Sequence, residues 1–99
     1  MNSFKEIWSG DFMAEVLNAP TPVVVLFDSP ECVPCEALKP MIQNVRRRFR
    51  SEVEFATVTV AECPGLAQRY GIVKLPTLGI FYEGALQDTF TPQNEHDKP

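Results

Sequence analysis

The apolar residues of this chain change their spacing several times, and each change marks an element. Behind Ser9-Gly10-Asp11, the stretch FMAEVLNA sets Phe12, Val16 and Leu17 at helical intervals, with Ser9 or Asp11 placed to cap the start. APTP, residues 19–22, ends that helix. VVVLF, residues 23–27, is a short continuous β-branched run, as expected of a strand covered on both faces in a parallel sheet. From Pro34 to Arg50, Leu38, Met41, Ile42, Val45 and Phe49 recur at steps of three and four, predicting a helix with one apolar face. Pro40 inside it removes one backbone donor and is expected to kink it. VEFATVTV, residues 53–60, alternates as a strand does. CPGLAQRYG predicts a short helix from near Pro64, ended by Gly71. PTLGIFYEGALQDTF predicts a hairpin, with strands near 77–82 and 85–90 and its turn at Glu83-Gly84. A weak first strand is expected near Phe4 to Ile7.

Alternating strands and helices followed by an antiparallel hairpin predict an α/β fold. Its central mixed β-sheet would have four to five strands, flanked by helices on both faces. Residues 1–99 read as one domain, with no internal repeat or linker. The tail, residues 91–99, is polar; Thr91-Pro92 could start a helical turn, but nothing apolar follows to dock it, so the tail is expected to be flexible.

Composition narrows the possible functions. The apolar share of 44 % is ordinary for a soluble globular chain. A net charge of −4 lacks the basic footprint that nucleic acid requires. No apolar run approaches the roughly 18–20 residues of a membrane span. The opening MNSFKEIWSGDF lacks the apolar segment of a signal peptide. The expected setting is therefore the cytosol, where close cysteines serve catalysis or metal binding more often than structure. Cys63 makes the cysteine count odd, against a pure disulfide framework.

The chemistry concentrates in DSPECVPCEALKP, residues 28–40. A zinc site needs four ligands; Cys32 and Cys35 supply two, Cys63 a third, and the single histidine, His96, sits in the polar tail without a recognised spacing. No metal is expected. An inert packed pair is a second reading. A redox centre explains more: the cysteines leave a buried strand and open a helix, where free N–H groups and the helix dipole favour a thiolate at Cys32. Cys35 follows one turn later, within reach of the same sulfur. Val33 and Pro34 set the bend between them, and Pro34 forfeits no hydrogen bond in a first turn.

With these residues in view, the chain resembles the thioredoxin family from residue 4 to about residue 90. The likeness rests on CVPC at a strand–helix junction, Pro40, PGLAQRYGI from Pro64 and KLPTLGIFYEG from Lys74. It implies a thioredoxin fold and reduction of protein disulfides, with Cys32 attacking, Cys35 resolving, and no cofactor beyond their disulfide. It also implies a cis Pro76, and a loop whose Leu75 backbone and Pro76 face the cysteines and, with Val33 and Pro34, hold an extended substrate. An NADPH-dependent flavoprotein thioredoxin reductase is the implied partner that recharges the pair.

The chain departs from the family in several places. Glu31 stands where an aromatic residue usually precedes the first cysteine. A carboxylate about 7 Å from a thiolate, at a dielectric near roughly 40, costs it about 1 kcal/mol. That offsets the helix-terminus benefit of about 0.3–1 kcal/mol. Glu31, and Asp28 if its carboxylate turns toward the site, are thus expected to make Cys32 less acidic and the centre more reducing; if both face water they matter little. The family's buried aspartate behind the second cysteine is matched by Leu26, and its usual core lysine by Thr57. Cys35 must then lose its proton by another route, such as water or Glu31, and a slower resolving step is expected. The family's closing amphipathic helix has no counterpart in TPQNEHDKP, where Pro92 replaces a frequent glycine. A partner or a second copy could cover the face this helix would occupy, although a monomer is expected. Cys63 reads as a small packing residue before a regulatory thiol, and RRRFR, residues 46–50, as a solvated helix end with Phe49 inward. A partner-holding adaptor and a redox sensor are the alternatives to the enzyme, and turnover would separate them.

Overall fold

The computed structural model describes residues 5–49 and 52–91, with Phe49 described by its backbone alone. Five strands form one sheet in the order β1-β3-β2-β4-β5. They are β1 (Lys5–Glu6), β2 (Val23–Asp28), β3 (Glu54–Thr59), β4 (Thr77–Tyr82) and β5 (Ala85–Phe90). β1, β2 and β3 run parallel, and β4 lies antiparallel to both β2 and β5. This is the mixed sheet that the sequence predicts. β2 is central and buried along nearly its whole length, consistent with its unbroken apolar run. Two helices complete the frame, α1 (Val33–Phe49) and α2 (Pro64–Arg69).

Strand alternation divides the core in two. On one face Val23, Val25 and Phe27 of β2 join Ala56, Val58 and Phe81 beneath the segment that carries Phe12 and Val16, with Leu66 and Tyr70 of the α2 region alongside. Phe81 is fully buried and meets Phe12 and Tyr70 edge-on, with ring centroids 5.3 and 5.2 Å apart. On the opposite face Leu26 and Phe55 pack with Ile42 of α1.

The turns follow local chemistry. Gly71 adopts φ +68° just beyond α2, where its N–H donates to the Gln68 carbonyl and the Ile72 N–H to that of Ala67. These are the two bonds of a Schellman stop. Glu83 and Gly84 both take positive φ, which gives the hairpin the twist of its strands. A register shift at Ile80/Phe81 leaves Gln87 as the bulged residue, and its side chain donates to the Tyr82 carbonyl.

Two expectations are corrected. The first helix is a 3₁₀ turn, Ser9–Asp11, followed by a π-helical turn, Met13–Leu17, and no side chain caps either. Phe12 and Val16 still reach the core, because one short turn suffices to bury both. In α1 the expected Leu38 and Ile42 face the core, but Met41 and Val45 are exposed, and Cys35 and Lys39 complete the inward face. The helix lies with a stripe containing Lys39 against the sheet, a rotation that apolar spacing alone would not select. It continues through Pro40, whose ring faces solvent. The side chain of Phe49, and the expectations for Phe4, Arg50 and the tail beyond Thr91, lie outside the described residues.

Candidate active site

The site forms where β2 gives way to α1. Asp28 closes the strand, Ser29 to Glu31 make the turn, and Cys32 precedes the first helical residue, Val33. The turn is tied by the Cys32 N–H donating to the Ser29 carbonyl and the Glu36 N–H donating to the Cys32 carbonyl. Cys32 therefore occupies the N-cap position, and its sulfur does what a capping oxygen does elsewhere: it accepts the Cys35 N–H at 3.0 Å. A helix-terminus N–H aimed at sulfur stabilises a thiolate.

Cys32 and Cys35 are joined as a disulfide, with Cα atoms 5.2 Å apart. Their environments differ. Cys32 is partly open to solvent, whereas Cys35 is fully buried on the inward face of α1. Val33 is 76 % exposed, and Pro34 is exposed beside it. Cys63 is buried in the core among apolar side chains, which is the packing role. Among the described residues no group of three His, Cys, Asp or Glu side chains is placed to hold a metal ion. Nor is any described helix long and apolar enough to cross a membrane.

Register places the second loop at the same end of the sheet. Thr77 pairs with Phe27, so the residues just before Thr77 lie beside the end of β2 from which the cysteine turn departs. The Leu75–Pro76 bond in that loop is cis, and Pro76 is buried. The Thr77 hydroxyl donates to the Lys74 carbonyl at 2.6 Å and lies 3.1 Å from the Thr91 hydroxyl, pinning the loop to the end of β5. Val73 in the approach to this loop is 90 % exposed; it received no role from sequence, because its exposure depends on where α2 stops.

The two acids of the motif separate. Glu31 is exposed in the turn. Asp28 is buried and shares the Leu26 side of the sheet, beneath α1. Its carboxylate lies 3.3 Å from the Lys39 ammonium, so the reading in which both acids face water is overturned for Asp28. Burial pushes the Asp28 carboxyl above its usual range, against the pull of Lys39, while Glu36 and Glu6 add to the rise. Burial lowers the Lys39 ammonium, but its hydrogen bond to Glu36 and the charge of Asp28 outweigh this, and its net shift is upward. Sequence reasoning assigned Lys39 nothing. The available signal was its spacing: it stands four residues after Cys35, on the same helix face.

Comparisons with known proteins agree with this geometry. The thioredoxin family model matches residues 3–98. Thioredoxin 1 of Synechococcus elongatus is 37 % identical over 78 residues, covering 79 % of this chain and 73 % of its own length. A thioredoxin of Pyropia yezoensis is 32 % identical over 87 residues, covering 88 % and 81 %. Thioredoxin C-2 of Corynebacterium nephridii is 35 % identical over 74 residues, covering 75 % and 68 %. The mixed sheet, the half-exposed Cys32 bonded to a buried Cys35, and these likenesses lead to one conclusion: the chain belongs to the thioredoxin family of thiol–disulfide oxidoreductases that reduce protein disulfides.

Proposed function

We propose that Cys32 is the attacking sulfur and Cys35 the resolving one in reduction of protein disulfides. The observation that carries this is their asymmetry: the sulfur that solvent reaches is the one that accepts a helix N–H. In the reduced protein the Cys32 thiolate attacks one sulfur of a substrate disulfide, and the other leaves with the electron pair as a thiolate. Cys35, deprotonated, then attacks Cys32, forms the internal disulfide and releases the second substrate thiolate. A two-electron donor restores the dithiol; an NADPH-dependent flavoprotein thioredoxin reductase is the partner that the family likeness supports. No resident cofactor or metal enters this scheme.

Val33 and Pro34 on one side, and the Leu75–Pro76 loop on the other, are the proposed seat for an extended substrate segment. Their support is the shared sheet end and the exposure of Val33. Glu31, exposed in the turn, is screened by solvent and disfavours the Cys32 thiolate only weakly. Residues 1–99 act as one thioredoxin-like domain, a cytoplasmic monomer without nucleic-acid or membrane contacts, in keeping with the acidic charge.

Insulin reduction, followed by the turbidity of its precipitating chain in dithiothreitol or with a reductase, tests the reading. Turnover should be robust in the wild type and abolished in Cys35→Ser. A reversible disulfide without turnover would reject the enzyme in favour of an adaptor or sensor.

A further inference from the structure

We propose that Asp28 accepts the proton of Cys35 in the resolving step, held in place by Lys39. The inference rests on the assignment of Cys35 as the resolving sulfur. A buried thiol cannot attack until it loses a proton, and bulk water is remote from a side chain with no exposed surface. A base must therefore lie on the inner side of α1. Asp28 is the one buried carboxyl group among the described residues. It ends β2 on the strand face that α1 covers, with the three residues of the turn between it and Cys32.

Lys39 ties the two elements together. Its ammonium lies 3.3 Å from Asp28, and its Cα stands one helical turn after that of Cys35. Cys35 and Lys39 thus lie on the inward side of α1, and Asp28 meets that side through Lys39. The groups facing Asp28 are Lys39 and Glu36 from α1 and Glu6 from β1. β3 contributes Thr57 and Thr59 on this face, and β4 contributes Leu78, none of which titrates near neutrality. Burial raises the Asp28 carboxyl, making it a better base than an ordinary aspartate, while Lys39 opposes that rise.

The step balances without another reactant. The Cys35 proton moves to Asp28, and the freed electron pair of its sulfur forms the bond to Cys32. The bond from Cys32 to the substrate breaks, with its pair leaving on the substrate sulfur. Asp28 later returns the proton when the pair is reduced again. Lys39 is a positioning residue here, acting through Asp28.

Stopped-flow absorbance with one equivalent of 5,5′-dithiobis(2-nitrobenzoate) on the reduced protein tests this. The first equivalent of released thionitrobenzoate reports attack by Cys32, the second resolution by Cys35. In the wild type the second phase should depend on pH less steeply than ionisation of the thiol alone would make it, because Asp28 takes the proton. In Asp28→Asn it should be at least about tenfold slower at pH 6 and climb about tenfold per pH unit, following ionisation of the thiol alone. Lys39→Met should move the lower limb of the profile to higher pH, a change that loss of packing alone would not cause; it also decides the matter if Asp28→Asn does not fold. A second phase with the wild-type rate and profile in either folded variant overturns the inference and leaves the assignment of Cys35 intact. A wild type that releases only one equivalent overturns both.

Discussion

At the scale of single residues, Asp28 links the site to stability. Its carboxyl is raised from the ordinary 3.8, chiefly by burial, so the folded chain holds that proton more tightly than the unfolded chain does. The contribution of this group to stability is therefore greatest at acid pH. It falls as pH climbs from about 4 through the raised folded value. Asp28→Asn abolishes the term, so the wild type should lose stability relative to this variant as pH rises across that window, in denaturant midpoints measured at each pH. A constant difference between the two would refute it. Gly79 makes a second, purely steric prediction. A Cβ there would lie 3.1 Å from a ring carbon of Phe81, 3.2 Å from Leu86 and 3.3 Å from Phe27, all in the tight core layer. Gly79→Ala should cost about 1–3 kcal/mol by equilibrium unfolding, because three neighbours must yield at once.

The elements make their own test, since α1 buries only part of the face its apolar residues mark. Ile42 is buried with Leu26 and Phe55, so Ile42→Ala should cost about 2–5 kcal/mol. Met41 is 62 % exposed, so Met41→Ser should change stability by less than about 1 kcal/mol. Equal costs would mean that the helix sits as its apolar spacing predicts. The rotation has a physical reason: Cys35 must face inward to resolve, and Lys39, one turn on, follows it to Asp28. The hairpin shows the opposite relation between sequence and structure. Its strand limits were legible because Glu83-Gly84 admits a turn with both φ angles positive between two short strand-forming runs.

For the whole molecule, the consequence is an uneven surface. β5 is an edge strand, and on the α1 side of the sheet Ile80, Tyr82 and Phe90 remain exposed, as do Met41 and Val45 of α1. Two features oppose pairing of this edge with another chain: the bulge at Gln87, and the charge of Asp88 opposite Ile80. Asp88→Val should therefore promote self-association that the wild type does not show at the same concentration, as read by sedimentation velocity. If the variant and the wild type sediment alike, the charge is not the guard.

Sequence alone determined the order of elements, the turns and the chemistry, since each depends on near neighbours. β-branching selects β2, a φ-positive glycine stops α2, and two cysteines three positions apart at a helix start lie within reach of each other. Even Leu26 and Thr57 were legible as departures from the family pattern. The tertiary structure alone decided which side of α1 is buried, and thereby joined Asp28 to Lys39, eleven positions apart and on different elements. Such a pairing depends on the rotation and seating of a helix over a strand, a balance among many weak contacts that no local spacing encodes.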